Sequence, residues 1–318
     1  MDILLTGSVA YDYIMTFPGL FSEQILPERL SSISLSFLVD SMAKARGGIA
    51  PNIAYTLSLL GERPRIMATV GEDFGEYRAW LNSKGVDTAL MKVVPGEFTA
   101  SFFATTDRAS AQIASFYPGA MGHSASQSLK DLEKKPDLVV VSPSAPDAMM
   151  KFPAECRDLG IPYLYDPSQQ VLRLEGDELA RDMEGAAFLF CNDYEFGLIS
   201  KKTGRDLQET LKHVKVLVVT RGKEGANLYT EGQEVFIPTV PEREIVDPTG
   251  VGDAFRGGFL AGYGHGWDWK LCGEVGALAA VYCLERRGPQ SHSFTRAEFV
   301  ERFRKHFDDK GKLDQFLK

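Results

Sequence analysis

Six short apolar runs, at residues 3–6, 65–70, 138–142, 163–166, 187–191 and 214–220, recur along the chain, and helical patterns at 52–60, 77–84, 148–159 and 206–212 fall between several of them. Apolar runs of this length predict strands buried on both faces. Strands that alternate with helices predict a parallel sheet covered on either side. The last third changes character: 253–263, 270–284 and 295–306 read as helices, broken by glycines 264 and 266 and by Gly288-Pro289. One face of the sheet is therefore expected to end in a helical layer.

Two stretches break the alternation. Residues 11–40 and 98–117 carry spaced aromatics (Tyr11, Tyr13, Phe17; Phe98, Phe102; Phe116) without a sustained helical period, and predict antiparallel strands outside the main sheet, a small β lid. No tandem repeat, low-complexity tract or Pro/Gly/Ser linker separates it from the rest, so the lid is an excursion from one domain. At 318 residues with 44% apolar content, the chain is long enough to bury one large core.

Charge narrows the partners. Lys and Arg number 35 against 43 Asp and Glu, a net of −8, and no basic run is long enough to neutralise a phosphate backbone. Nucleic acid and membranes are not expected partners. The N-terminus lacks a basic region followed by a long apolar stretch, and no run of 18 apolar residues occurs, so a soluble, cytoplasmic protein is expected. Cys156, Cys191, Cys272 and Cys283 lack CxxC spacing and are read as reduced and structural.

The segment richest in chemistry is Asp247-Pro248-Thr249-Gly250-Val251-Gly252-Asp253-Ala254-Phe255-Arg256-Gly257-Gly258. Gly250 and Gly252 precede an apolar helical run, so backbone N–H groups at a helix start can face an anion with no Cβ in the way. Asp253 sits in that turn, where the helix dipole is expected to keep it ionised and able to accept a hydroxyl proton. Gly257 and Gly258 inside the helix cost about 1 kcal/mol each relative to Ala, which makes sense if another backbone or a ligand comes close.

Other nucleotide motifs fail. Gly222-Lys223 and Gly311-Lys312 are followed by Glu224 and Leu313, not by the Ser or Thr of a P-loop. The first strand is followed by one glycine, Gly7, rather than a dinucleotide fingerprint. The five histidines are scattered, with no zinc-binding spacing.

Three further clusters read two ways each. Arg46-Gly47-Gly48 before Asn52 is a turn and helix start, or part of a site. Asn192 and Glu195 form a capping box, or share one side of a helical turn and order a hydrated Mg²⁺. Thr220-Arg221-Gly222-Lys223-Glu224-Gly225 is a hairpin turn, or a loop that hugs a nucleotide.

Taken in order, the clusters resemble the signatures of the ribokinase-like, phosphofructokinase-B-type (PfkB) carbohydrate and nucleoside kinases. Gly47-Gly48 with Asn52 matches the N-terminal signature, Asn192 to Glu195 the Asn-x-x-Glu motif, and Asp247 with Gly250-Val251-Gly252-Asp253 the C-terminal one. The resemblance spans roughly residues 2–290. Longer runs, Phe17-Pro18-Gly19 with Phe21-Ser22-Glu23-Gln24, Ser34-Leu35-Ser36-Phe37-Leu38-Val39-Asp40, Gln112-Ile113-Ala114-Ser115-Phe116-Tyr117-Pro118-Gly119-Ala120-Met121 and Asp166-Pro167-Ser168-Gln169-Gln170, are similar to those of bacterial adenosine kinases of the actinobacterial kind.

That resemblance implies a three-layer αβα ribokinase-like fold with a central, mostly parallel sheet, forming one domain over 1–318 with a β-sheet lid from about 11–45 and 97–118. It implies ATP as phosphoryl donor, Mg²⁺, and potassium near the C-terminal signature. Asp253 would deprotonate a ribose 5′-hydroxyl, with Gly250, Val251 and Gly252 stabilising charge on the phosphoryl group. Asp12, Gly48 and Asn52 would hold the ribose, helped by Ser8 and Ser36. Phe102 and Phe116 would sandwich the purine, and Gln169, Gln170 and Arg173 would border the same pocket. Asn192 and Glu195 would act on the metal through water, and Thr220, Gly222 and Gly225 would line the ATP loop.

Two residues depart from the family pattern. Pro248 stands where Thr is common and removes a backbone donor near the potassium position. Arg256 stands where many members carry a small residue; it either reaches ATP phosphates or neutralises Asp253 or Glu285. The acceptor implied is adenosine, with another nucleoside, ribose or fructose as the alternative and a non-catalytic nucleoside sensor as a third reading. Apolar residues and free edges in the lid predict a homodimer.

Overall fold

The computed structural model describes residues 1–26, 32 and 34–318. The N-terminal third runs β1 (Ile3–Thr6), β2 (Ala10–Thr16), α1 (Phe21–Gln24), β3 (Ser41–Gly47), α2 (Ile49–Leu59), β4 (Arg65–Met67), β5 (Thr69–Val70), α3 (Gly75–Ser83), β6 (Lys92–Val93), β7 (Ala100–Thr106) and β8 (Gln112–Tyr117). The middle continues with β9 (Leu138–Val141), α4 (Pro146–Leu159), β10 (Tyr163–Tyr165), α5 (Gly176–Met183), β11 (Phe188–Asn192), α6 (Asp193–Thr203), α7 (Leu207–Thr210) and β12 (Val216–Thr220). A hairpin, β13 (Ala226–Thr230) and β14 (Gln233–Ile237), precedes α8 (Val251–Gly264), α9 (Trp269–Leu284) and α10 (Arg296–Arg304).

The main sheet has the order β14-β13-β12-β11-β10-β9-β1-β4. The six strands from β12 to β4 are parallel, and β13 and β14 add an antiparallel edge. Side chains alternate between two cores, as a pleat requires: Phe188 and Phe190 join the α2, α8 and α9 side, while Leu189 and Cys191 join the α4 and α6 side. Strands buried on both faces explain why their sequences are apolar throughout rather than alternating. The four cysteines are buried and free. No helix among the described residues is long and apolar enough to cross a membrane.

Some sequence expectations shift. The run at 65–70 divides after Met67: β4 stays in the main sheet, while β5 pairs with β6 in a separate two-stranded sheet. The helix expected at 206–212 shrinks to the single turn of α7, capped by Asp206, whose carboxylate accepts the Glu209 amide at 2.8 Å. Helix α5 and the β13–β14 hairpin were not foreseen.

The expected lid is a four-stranded sheet of order β3-β2-β7-β8. It is mixed rather than antiparallel: the β2–β3 and β7–β8 pairs are antiparallel, but they join through a parallel β2–β7 pair. The part of the expected lid at 27–31 and 33 lies outside the described residues.

Helix α8 lies between α2 and α9, and its glycines set the spacing. A Cβ on Gly257 would stand 2.7 Å from Thr56 Cβ and 3.0 Å from Ile53 O; one on Gly258 would stand 2.7 Å from Val275 O. Of the two sequence explanations for these glycines, a neighbouring backbone is the one realised.

Candidate active site

The parallel strands end on one edge of the sheet, where the chain continues into Ser8 after β1, Ser142 after β9, Asp166 after β10, Asn192 at the end of β11 and Thr220 at the end of β12. Such an edge is where open α/β sheets bind ligands. Asn192 and Thr220 are register partners on neighbouring strands there.

Facing this edge is the start of α8. Gly250 is its N-cap with φ +78°, and a Cβ at that position would run into the Pro289 ring. Asp247 holds the preceding loop, accepting the Thr249 amide at 2.9 Å and the Gly288 amide at 2.9 Å. Burial works to raise the Asp247 carboxyl, but these hydrogen bonds and Arg287 bring it below its ordinary value. The Val251 amide, expected to face the ligand, donates back to Pro248 O at 3.3 Å. The amides of Gly250, Gly252 and Asp253 have no acceptor among the described residues, so an anion-sized set of donors remains.

Asp253 projects from this first turn. Its Oδ2 accepts Asn52 Nδ2 at 2.8 Å, and its Oδ1 stands 3.8 Å from Arg256 Nη1. The helix dipole, expected from sequence to keep this carboxyl ionised, does not dominate: burial pushes it up to about 6, against the opposing pull of Arg256 and the Asn52 hydrogen bond.

Asn52 is buried and committed. Gln290 Nε2 donates to its Oδ1 at 2.7 Å and to Tyr77 Oη at 2.6 Å, and Tyr77 in turn donates to Gly47 O at 2.9 Å. The side chain expected to hold ribose thus donates to the Asp253 carboxylate. Gln290 and Tyr77 were not found from sequence; an amide in a loop and a helical tyrosine carry no motif.

The paired glycines bend the chain around two predicted substrate residues. Gly48 has φ +95°, and a Cβ there would meet Ser8 O at 2.5 Å and Val9 Cα at 2.7 Å. Ser8 is buried and its Oγ accepts the Ile49 amide at 3.2 Å. A Cβ on Gly47 would touch Asp12 Oδ2 at 2.5 Å. Burial and the Asp247 charge raise the Asp12 carboxyl to about 6.

Across the lid, Ala45, Asp12, Phe102 and Phe116 are register partners on four adjacent strands, and therefore share one face. Phe116 is exposed on the edge strand. The two phenylalanines are thus neighbours on one wall beside Asp12. Ser36 is exposed in the irregular segment before β3.

Gln170 is buried, with Nε2 donating to Ser144 O at 2.7 Å and Oε1 left without a partner, whereas Gln169 and Arg173 are exposed. Arg256 does not pair with Glu285, which Arg302 holds at 2.6 and 2.8 Å. Its guanidinium instead meets Asp166, Nη2 to Oδ1 at 2.8 Å and Nε to Oδ2 at 2.8 Å.

The capping box at Asn192 forms: Asn192 Oδ1 accepts the Glu195 amide at 2.7 Å and Glu195 Oε2 accepts the Asn192 amide at 2.8 Å. Glu195 Oε1 keeps acceptor capacity, 3.5 Å from Ser168 Oγ, so capping leaves room for a water-mediated cation contact. Beyond Thr220, Gly225 takes φ +89° and has no space for a Cβ against Ile237 O, both of which call for glycine, and its carbonyl accepts the Arg221 amide at 2.8 Å. This loop closes the β12–β13 turn.

Residues 6–296 match the family model described as pfkB family carbohydrate kinase. The chain is 32% identical over 306 residues to the nucleoside kinase of Methanothermobacter thermautotrophicus, covering 95% of each, and 29% identical over 306 residues to that of Methanocaldococcus jannaschii, covering 96% of this chain and 97% of the other. The structure of Burkholderia thailandensis nucleoside kinase in complex with inosine superposes with a TM-score of 0.85 at 37% identity, covering 96% of this chain and 98% of that one. With the fold, the signature loop and Asp253 in place, the chain belongs to the pfkB family of carbohydrate kinases.

Proposed function

We propose that this protein transfers the γ-phosphoryl group of ATP to the 5′-hydroxyl of a purine nucleoside, with adenosine the preferred acceptor. The observation that carries the reading is the placement of the Asp253 carboxylate at the mouth of an unfilled set of helix-start amides, with Asn52 fixing one of its oxygens. The Burkholderia relative, solved with inosine, supports a purine nucleoside over a bare sugar. The resemblance of the longer sequence runs to adenosine kinases favours adenine.

In this mechanism the free lone pairs of Asp253 accept the 5′-hydroxyl proton as that oxygen bonds to the γ-phosphorus and the bond to the β,γ-bridging oxygen breaks, giving nucleoside monophosphate and ADP. The Gly250 and Gly252 amides meet the charge on the transferring group. Mg²⁺ bound with ATP would supply charge neutralisation between the β- and γ-phosphates. Glu195 and Asn192 would contact its waters, and Thr220, Gly222 and Gly225 would border the nucleotide. Asp12, with Ser8, Ser36 and the Gly48 backbone, would hold the ribose, while Phe102 and Phe116 hold the base and Gln169, Gln170 and Arg173 border it. The four-stranded sheet would then cover the acceptor and keep water from the phosphoryl group.

The other face of that sheet carries exposed Met42, Phe103, Ile113 and Tyr117, a surface suited to a second copy of the chain. Light scattering on the purified protein tests that pairing; a monomer at all concentrations would refute it. The reaction itself is tested by offering adenosine, inosine, guanosine, ribose and fructose with ATP and Mg²⁺. Phosphorylation of adenosine ahead of the others is expected. Turnover of sugars alone would overturn the nucleoside reading, and binding without turnover of any compound would overturn catalysis.

A further inference from the structure

We propose that Asp166 is a positioning residue for Asp253: by clamping one edge of Arg256 it holds the remaining guanidinium nitrogen beside the base without letting it close onto it, and so sets the charge that the base feels. The proposal rests on Asp253 being the base of the proposed reaction. Asp166 lies just beyond the end of β10 and is fully buried, and Arg256 lies in the second turn of α8, 9% exposed. Nη2 donates to Asp166 Oδ1 at 2.8 Å, and Nε lies 2.8 Å from Oδ2 in ion-pair contact without a hydrogen bond.

Nη1 is the part left over. It has no hydrogen-bond acceptor among the described residues, stands 3.8 Å from Asp253 Oδ1, and would lie 2.8 Å from a Cβ placed on Gly252. The free corner of the guanidinium therefore sits under the amide set that receives the phosphoryl group. An arginine three residues after an aspartate on a helix is within reach of a direct pair with it. Such a pair would occupy the lone pairs that must take the hydroxyl proton. Asp166 opposes this by holding the guanidinium from the other side, through the Nη2 hydrogen bond and the ion-pair contact at Nε.

The charged and titratable groups around Asp253 are few. Arg256 comes from its own helix, Asp166 from the end of β10, and Glu195 from α6, facing the Asp166–Arg256 pair. Cys283 comes from α9, its thiol kept neutral by burial, which pushes it to about 12. Asp247 lies in the preceding loop near the same thiol. From α2 only the neutral Asn52 reaches the base. One cation and its anionic clamp thus dominate the local field.

A merely structural ion pair would change stability when removed and leave the ionisation of Asp253 where it was. The test compares Asp166→Asn, Arg256→Lys and the charge-neutral double variant Asp166→Asn/Arg256→Gln, which keeps side-chain volume if a single variant fails to fold. The Asp253 carboxyl is followed by ¹³C NMR titration of the full-length protein, its resonance identified by its loss in Asp253→Asn, with the acid limb of kcat/KM for adenosine read in parallel.

Asp166→Asn, which leaves the full Arg256 charge to the base, is expected to lower the Asp253 midpoint. The double variant is expected to raise it, each by about one pH unit, and Arg256→Lys to keep the midpoint near wild type while kcat falls. Midpoints that coincide in wild type and the double variant overturn the inference. Midpoints that move in a protein with no kinase activity support the clamp and overturn the kinase reading alone.

Discussion

Asn52 donates its Nδ2 hydrogen to Asp253 Oδ2 at 2.8 Å, joining residues 201 positions apart. Gln290 braces Asn52 from behind at 2.7 Å, so one oxygen of the base is fixed by a chain of buried amides. A carboxylate held in this way loses little entropy when it accepts a proton. Asp253→Asn keeps the shape and removes the basicity: kcat should fall by about two orders of magnitude or more, with little change in nucleoside affinity. Steady-state kinetics with calorimetric binding checks this, and near-normal turnover in the variant would show that the proton goes elsewhere.

The pH dependence follows from the same carboxyl. Burial, opposed by Arg256 and Asn52, sets Asp253 at about 6, and the ionised form is the active one, so kcat/KM should rise with pH through about 6. The stability effect has the opposite sense. From 3.8 to about 6 the folded protein keeps a proton that the unfolded chain has released, so this group's contribution falls as pH rises across that window. Thermal melting of wild type minus Asp253→Asn isolates the effect. A difference that does not change between pH 4 and 6.5 would contradict the raised value.

Phe102 and Phe103 are adjacent in β7 and point to opposite faces of the lid sheet. Phe102→Ala should weaken purine nucleoside binding by about 1–3 kcal/mol, as expected when a stacked aromatic is lost. Phe103→Ala, whose ring stacks on Tyr13 at 4.9 Å, should leave it unchanged. Equal losses in the two variants would mean that the base does not lie on the Asp12 face.

Gly258→Ala tests the seat of α8. The added methyl group would press on Val275 O at 2.7 Å and Gly276 Cα at 2.8 Å, so α8 and α9 must separate. A loss of about 1–3 kcal/mol is expected despite alanine's better helix propensity. Chemical denaturation reads it directly, and a variant more stable than wild type would show that the helices have slack.

The α/β class was legible because six parallel strands are buried on both faces and so carry uninterrupted apolar runs. The signature loop was legible because Gly250 and Gly48 need conformations or clearances that other residues lack. What escaped were pairings made by the fold alone. Asp166 and Arg256 are 90 residues apart and Gln290 and Asn52 are 238, and nothing local in either sequence marks them as partners. The environment of Asp253 escaped for a related reason: a helix start announces its dipole in sequence, but the depth to which the rest of the chain covers it does not. Asn192 and Glu195 were read as capping box or metal site, and the box forms while leaving one carboxylate oxygen for the other task.

Gly257 and Gly258 grip α8 against α2 and α9 along both flanks, which divides the enzyme into parts with unequal room to vary. The turn proposed to handle phosphate is welded to the core, and a change there disturbs three helices at once. Asp12, Phe102 and Phe116, the side chains proposed to hold the acceptor, ride on a thin sheet of their own. A lineage seeking a new alcohol to phosphorylate could therefore rewrite that sheet while inheriting the donor machinery untouched.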